Sequence, residues 1–205
     1  WACIERYKQT EPLPALAFTP DGSYPVINAE MGIFQATYQK KLTASRMRVR
    51  CGIAANVIPG EAEAELPFMP EPVSAKSGFV LSGAGSTLRA VGRGGHASRP
   101  DDAKNALLQL LDALKDQPLD TDDLATVSAL AALLGFDRHG EGLGLDFTDE
   151  SGRLTLSPDI LVWDENEVSL TLDCRHPFGI SAERLGETLD RAFGAVGFER
   201  TYTNA

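Results

Sequence analysis

The sequence predicts an α+β domain built on antiparallel sheet, and three observations carry that prediction. Several stretches alternate apolar and polar residues at the two-residue period of a strand with one buried face. The clearest is Glu167–Arg175, where Val168, Leu170 and Leu172 alternate with Ser169, Thr171 and Asp173. Other stretches repeat apolar residues at helical spacing, as in Ala106, Leu107, Leu110, Leu111 and Leu114. Finally, each half of the chain runs through strands and then a helix, the order expected of helices packed on one face of a sheet.

Residues 1–30 read as a lead-in in which Pro12, Pro14, Pro20 and Pro25 break any long element. Gly32–Leu42, Met47–Cys51 and Glu61–Leu66 alternate and are predicted strands, with Ala62, Ala64 and Leu66 on one face. Arg46, Arg48 and Arg50 form the densest basic row of the chain and read as a solvated strand face rather than an anion site. Glu71–Ser77 reads as a short helix or a loop. Phe79–Leu81 and Thr87–Val91 are expected to form a hairpin around Ser82-Gly-Ala-Gly-Ser86, and Gly92–Gly95 reads as a further hairpin turn. A helix is predicted over Pro100–Lys115, because proline suits a first turn whose N–H groups have no partner.

After the polar break Leu119–Asp123, Asp120 or Thr121 can cap a helix through Leu124, Val127, Leu130, Leu133 and Leu134 that Gly135 ends. Glycines 140, 142 and 144 mark a turn. Strand segments Leu154–Leu156 with Ile160–Trp163, and then Glu167–Arg175, follow. Ser181 can cap a last helix lined by Leu185, Leu189, Ala192 and Phe193. The expected architecture is an α+β domain of antiparallel sheets with helices on one face. It divides into two ferredoxin-like halves, residues 31–118 and 119–205.

Composition narrows the function. The 205 residues carry a net charge of −10, which argues against a phosphate-binding surface and so against nucleic acid as a partner. No apolar run approaches the roughly 18 residues that span a bilayer, so no membrane partner is expected. Cys3, Cys51 and Cys174 are scattered, which fits a reducing, cytoplasmic setting and argues against a disulfide framework or a structural zinc. Trp1 is not a natural start, so the chain is expected to be a piece of a longer polypeptide.

The most telling chemistry is Arg93-Gly-Gly-His-Ala-Ser-Arg-Pro100, where small residues flank His96 and leave a ligand room to approach. An ordinary surface histidine in a turn fits the same spacing. Asp21, in Pro20-Asp-Gly, can form an Asx-turn or bind a metal. His96, His139 and His176 show no ligand spacing with it, and there is no H-E-x-x-H, so this chain by itself assembles no zinc site. Ser86 does not sit in a G-x-S-x-G elbow, and the glycine runs lack the strand, helix and Lys-Ser/Thr of phosphate loops. Arg175, at a strand end, can clamp a carboxylate with two parallel bonds or simply be solvated.

Taken in order, five segments resemble the peptidase V-type dipeptidases of the aminoacylase/carboxypeptidase group of dinuclear zinc metallopeptidases. They are Ala17–Gly32, Ala54-Ala-Asn-Val-Ile-Pro59, Gly95–Pro100 with Asn105-Ala106, Leu143–Leu156 and Leu172-Asp-Cys-Arg-His-Pro177. The resemblance implies an enzyme that hydrolyses the peptide bond of dipeptides with a water activated by two zinc ions, with a lid that closes on the substrate. Residues 1–30 would end the zinc-binding catalytic segment and residues 31–205 would form the lid. Asp21 would be one zinc ligand, while His96 would stabilise the oxyanion, Asn56 would hydrogen-bond the substrate and Arg175 would grip its carboxylate. The remaining zinc ligands would lie in a catalytic domain outside this chain, leaving the piece alone inactive and the intact enzyme a monomer. Ala103 replaces a common family glycine, and Cys174 and His176 around Arg175 also depart from the family pattern. An N-acyl amino acid amidohydrolase or desuccinylase of the same group is one alternative, and a non-catalytic ligand-binding or dimerising module is another.

Overall fold

The computed structural model describes residues 2–16, 27 and 29–204, which fall into two compact units, Trp1–Glu30 and Met31–Ala205. In the first, helix α1 (Ala2–Thr10) precedes Pro12. Its exposed surface carries a Glu5–Lys8 pair at 3.3 Å. The proline count alone hid this helix; the prolines all fall after it, and residues 2–11 contain none.

The second unit is α+β. Its first half gives β1 (Gly32–Lys41), β2 (Arg48–Cys51), β3 (Val57–Ile58), β4 (Glu61–Glu65), β5 (Val80–Ala84), β6 (Thr87–Val91) and β7 (Gly95–His96). Helices α2 (Ala106–Leu114) and α3 (Thr121–Leu134) follow, then the small hairpin β8 (Thr148–Asp149) and β9 (Gly152–Arg153). Strands β10 (Thr155–Trp163) and β11 (Glu167–His176), helix α4 (Ala182–Gly194) and strand β12 (Glu199–Asn204) complete it. Eight strands form one sheet in the order β12-β1-β11-β10-β2-β4-β6-β5, with every pairing antiparallel. β1 lies between β11 and β12, so a strand from the start of this unit is paired with two from its end.

Register explains the core. Cross-strand partners share a face, and Phe34↔Cys174, Ala36↔Leu172, Tyr38↔Leu170, Leu161↔Cys51 and Val49↔Ala64 are all buried. Together with the inner faces of α2, α3 and α4 they make one hydrophobic cluster, so the helices cover one side of the sheet. Tyr38 and Phe193 stack at 4.5 Å between ring centroids, pinning α4 to β1.

Several local expectations change. Pro100 opens only a single 3-10 turn, Pro100–Asp102, and Ala103 returns to extended backbone. The helix starts at Ala106, where Asn105 caps it by accepting from the Leu107 N–H at 3.0 Å. Of the two readings of Glu71–Ser77, helix or loop, the loop holds; the buried Gln117 and Gln109 side chains accept from the Glu71 and Lys76 N–H groups and tie it down. The two pieces around Ser157–Asp159 are one strand, β10, whose register shifts between Pro158 and Ile160 where it pairs with β11. The edge strand β12 was not anticipated, because all six of its residues are exposed and give no buried alternation. Among the described residues no helix is long and apolar enough to cross a membrane.

Candidate functional site

His96 stands at the end of β7, whose two residues pair with β3 as Val57↔His96 and Ile58↔Gly95. The glycines before it are a place where backbones cross rather than the hairpin turn the sequence suggested. The Gly92 N–H donates to the Gly60 carbonyl at 2.8 Å, and a Cβ at Gly92 would lie 2.1 Å from the Lys104 carbonyl oxygen. A Cβ at Gly60 would in turn lie 2.8 Å from the Gly94 nitrogen. Only residues without side chains allow this crossing. Beyond it, Ile58, Ala97 and Ala103 form a small buried cluster that anchors the loop, while His96 itself is exposed.

The imidazole is oriented locally. Its Nδ1 accepts the Ser98 backbone N–H at 3.1 Å and lies 2.9 Å from the Ser98 hydroxyl. A ring nitrogen that accepts an N–H carries no proton, so the neutral ring holds its proton on Nε2. Asn56 adjoins it, because the Ala97 N–H donates to the Asn56 carbonyl at 3.0 Å. A basin of about 480 Å³, walled by Ile53, Val57, Pro59, Gly60 and Gly94, lies against these two short strands. The structure thus joins Asn56 and His96 in one unit, through a two-residue pairing too short to leave a periodic signal in the sequence.

Arg175 is placed elsewhere, on β11, and its bonds are to neither of them. Its Nε donates to Asp173 Oδ1 at 2.8 Å and its Nη2 to Oδ2 at 3.2 Å. The alternation read Asp173 as a solvent-facing strand residue, but it is fully buried. Gln35 on β1, its register partner, donates to Oδ2 at 2.7 Å. On β10, Ser157 Oγ bonds the fully buried Asp159. Burial pushes the Asp159 carboxyl up to about 8; the nearby Asp173 adds to that, while Ser157 and Arg175 oppose it. Cys174 is fully buried and its thiol is pushed up by that burial, so it has no nucleophilic part.

Metal binding finds little support in the described part of the chain. Asp21 lies outside the described residues. His139 is buried, with Nδ1 2.7 Å from the Leu154 carbonyl oxygen, and His176 packs over Gly32. Among the described residues no three His, Cys, Asp or Glu side chains gather as a metal site, so these residues do not fit a metal centre.

Comparison with known proteins adds kinship. The chain is 29% identical over 213 residues to "Putative dipeptidase YtjP" of Bacillus subtilis strain 168, covering 94% of this chain and 46% of that protein. It is 27% identical to "Beta-Ala-Xaa dipeptidase" of Lactobacillus delbrueckii subsp. lactis, covering 98% of this chain and 48% of the relative. The aminoacylhistidine dipeptidase structure from Vibrio alginolyticus aligns over 89% of this chain and 41% of its own, with 13% identity and a TM-score of 0.40. No protein-family model matches. The chain spans about half the length of the curated relatives it matches.

Proposed function

We propose that this chain, as a relative of the peptidase V-type dipeptidases, forms the lid of a metal-dependent enzyme that hydrolyses dipeptides. Residues 31–205 would be the lid and residues 1–30 the end of a catalytic segment. The observation that carries the reading is the state of His96: exposed, flanked by glycine and alanine, with Nδ1 engaged by Ser98 and an Nε2–H left to donate. A fixed donor of this kind suits the charge that develops on a carbonyl oxygen under attack. Asn56, tied to the same unit, would hydrogen-bond the bound peptide, and the adjoining basin has room for a substrate side chain. Arg175 would bind the substrate carboxylate, which favours short peptides over internal bonds. The water-activating metals, zinc by family resemblance, are assigned to ligands outside the described residues, Asp21 among them. Because the lid would hold His96, Asn56 and Arg175 and the rest of the enzyme the metals, closure would assemble the site.

The test uses the full-length polypeptide that carries this chain. It should hydrolyse dipeptides in preference to N-acyl amino acids, and His96→Ala should lower kcat about 10²–10³-fold while substrate still binds. Unchanged turnover in that variant rejects the role of His96, and a preference for N-acyl amino acids moves the protein to the amidohydrolase branch of the group.

A further inference from the structure

Arginine is a long, flexible side chain whose rotamer freedom is costly to lose on binding. Arg175 has already lost it. Asp173 is two residues away on the same strand, so both side chains stand on one face of β11. The carboxylate meets the Nε and Nη2 side of the guanidinium with both oxygens, at 2.8 and 3.2 Å. Gln35 reaches across from the neighbouring strand to the same carboxylate at 2.7 Å, so Asp173 is itself held. The Asp173 side chain is 0% exposed and that of Arg175 14% exposed, so the pair is largely shielded from water.

We propose that Asp173, braced by Gln35, is the positioning residue for Arg175, and that it commits the arginine to bind a carboxylate end-on through Nη1 and the second Nη2 proton. The proposal rests on the reading of Arg175 as the carboxylate-binding residue and adds how that residue is aimed. The side of the guanidinium formed by Nε and Nη2 is spent on Asp173, so a substrate carboxylate has to approach the two terminal nitrogens. The local fold supports the arrangement. Arg175 is flanked in the register by Ile33 of β1 and Thr155 of β10, neither of which brings a competing charge. An ion pair whose only task was to hold the sheet together would leave substrate selectivity unchanged when weakened. One that aims Arg175 would not.

The experiment compares kcat/KM for the dipeptide Ala-Ala and for its C-terminal amide, Ala-Ala-NH₂, in the full-length protein. Asp173→Asn should lower the acid-to-amide ratio about tenfold or more, because a misaimed guanidinium loses the carboxylate but not the amide. The loss should fall mainly on KM, with kcat for Ala-Ala within about threefold. Gln35→Ala should shift the ratio in the same direction by a smaller factor, and it provides the reading if Asp173→Asn does not fold. Adding Asp173→Asn to Arg175→Lys should cost little beyond Arg175→Lys alone, since both act through one contact. If Arg175→Lys lowers the ratio while neither Asp173→Asn nor Gln35→Ala does, the positioning role is overturned. If Arg175→Lys leaves the ratio unchanged, the reading of Arg175 has failed, and the positioning role falls with it.

Discussion

The backbone N–H of Ser98 points at Nδ1 of His96 across 3.1 Å, within a turn closed by the Arg99 N–H on the His96 carbonyl at 2.9 Å. The main-chain donor therefore suffices to set the tautomer of the exposed imidazole, and the hydroxyl of the same serine lies beside it at 2.9 Å. Ser98→Ala removes only the hydroxyl, so hydrolysis by the full-length protein should fall less than about tenfold, far short of the loss expected for His96→Ala. Steady-state kinetics on the two variants decide it: equal losses would mean that the hydroxyl, not the main chain, orients the ring.

Gly92→Ala puts a methyl group where the Lys104 carbonyl oxygen now lies, 2.1 Å from the added carbon. Backbone cannot yield as a side-chain tip can. A loss of at least 1–3 kcal/mol is expected, the usual order of magnitude for overpacking. Urea denaturation should show it as a lower midpoint at constant slope, and the His96 loop should become more open to proteolysis. A variant as stable as the parent would show that the crossing has slack.

Asn105 serves two elements at once. Its Oδ1 caps α2, and its Nδ2 donates to the Pro158 carbonyl at 2.8 Å, joining the helix start to the irregular stretch of β10. Asn105→Ala loses both bonds and should cost about 1–2 kcal/mol. Asn105→Ser keeps a capping oxygen, loses the Nδ2 donor without setting a second acceptor against the Pro158 carbonyl, and should recover part of that. Thermal melts of the two variants separate the contributions; equal destabilisation would leave the cap without weight.

Asp159 predicts a pH dependence. Its carboxyl is raised to about 8 by burial, well above its unfolded value, so from about pH 4 to about pH 8 the folded protein holds a proton that the unfolded chain has released. This group therefore makes stability fall as pH rises through that window, by up to about 1.4 kcal/mol per pH unit, and adds nothing further above it. Asp159→Asn imitates the protonated acid, keeping an oxygen for the Ser157 hydroxyl. The difference in unfolding free energy between variant and parent should widen in the variant's favour from pH 5 to pH 8. A constant difference across that range would show that Asp159 titrates normally.

Much of the fold was legible because its period was strong. The alternation in Glu167–Arg175 and the stripe Ala106–Leu114 are an interior strand of the sheet and a helix packed on it, and Ser181 caps α4 as expected by accepting from the Arg184 N–H at 3.2 Å. Elements with no buried pattern were missed: α1 and β12 are exposed, and β3, β7, β8 and β9 are two residues each. Asp173 was misjudged for a related reason. Alternation tells which face a side chain takes, not whether another strand's residue or an arginine will cover it. The pairing of β1 with β11 joins residues over a hundred positions apart and left no local trace.

That same pairing sets an order of events during synthesis. A strand ending at Lys41 has both its sheet neighbours, Glu167–His176 and Glu199–Asn204, far downstream. While the ribosome makes the intervening residues, the apolar side of this early segment has no permanent place to lodge, and closing so large a loop is slow. A chaperone that shelters nascent chains would meet this polypeptide with Phe34 and Tyr38 still bare. Release before the late strands emerge would leave an edge ready to pair with the wrong neighbour.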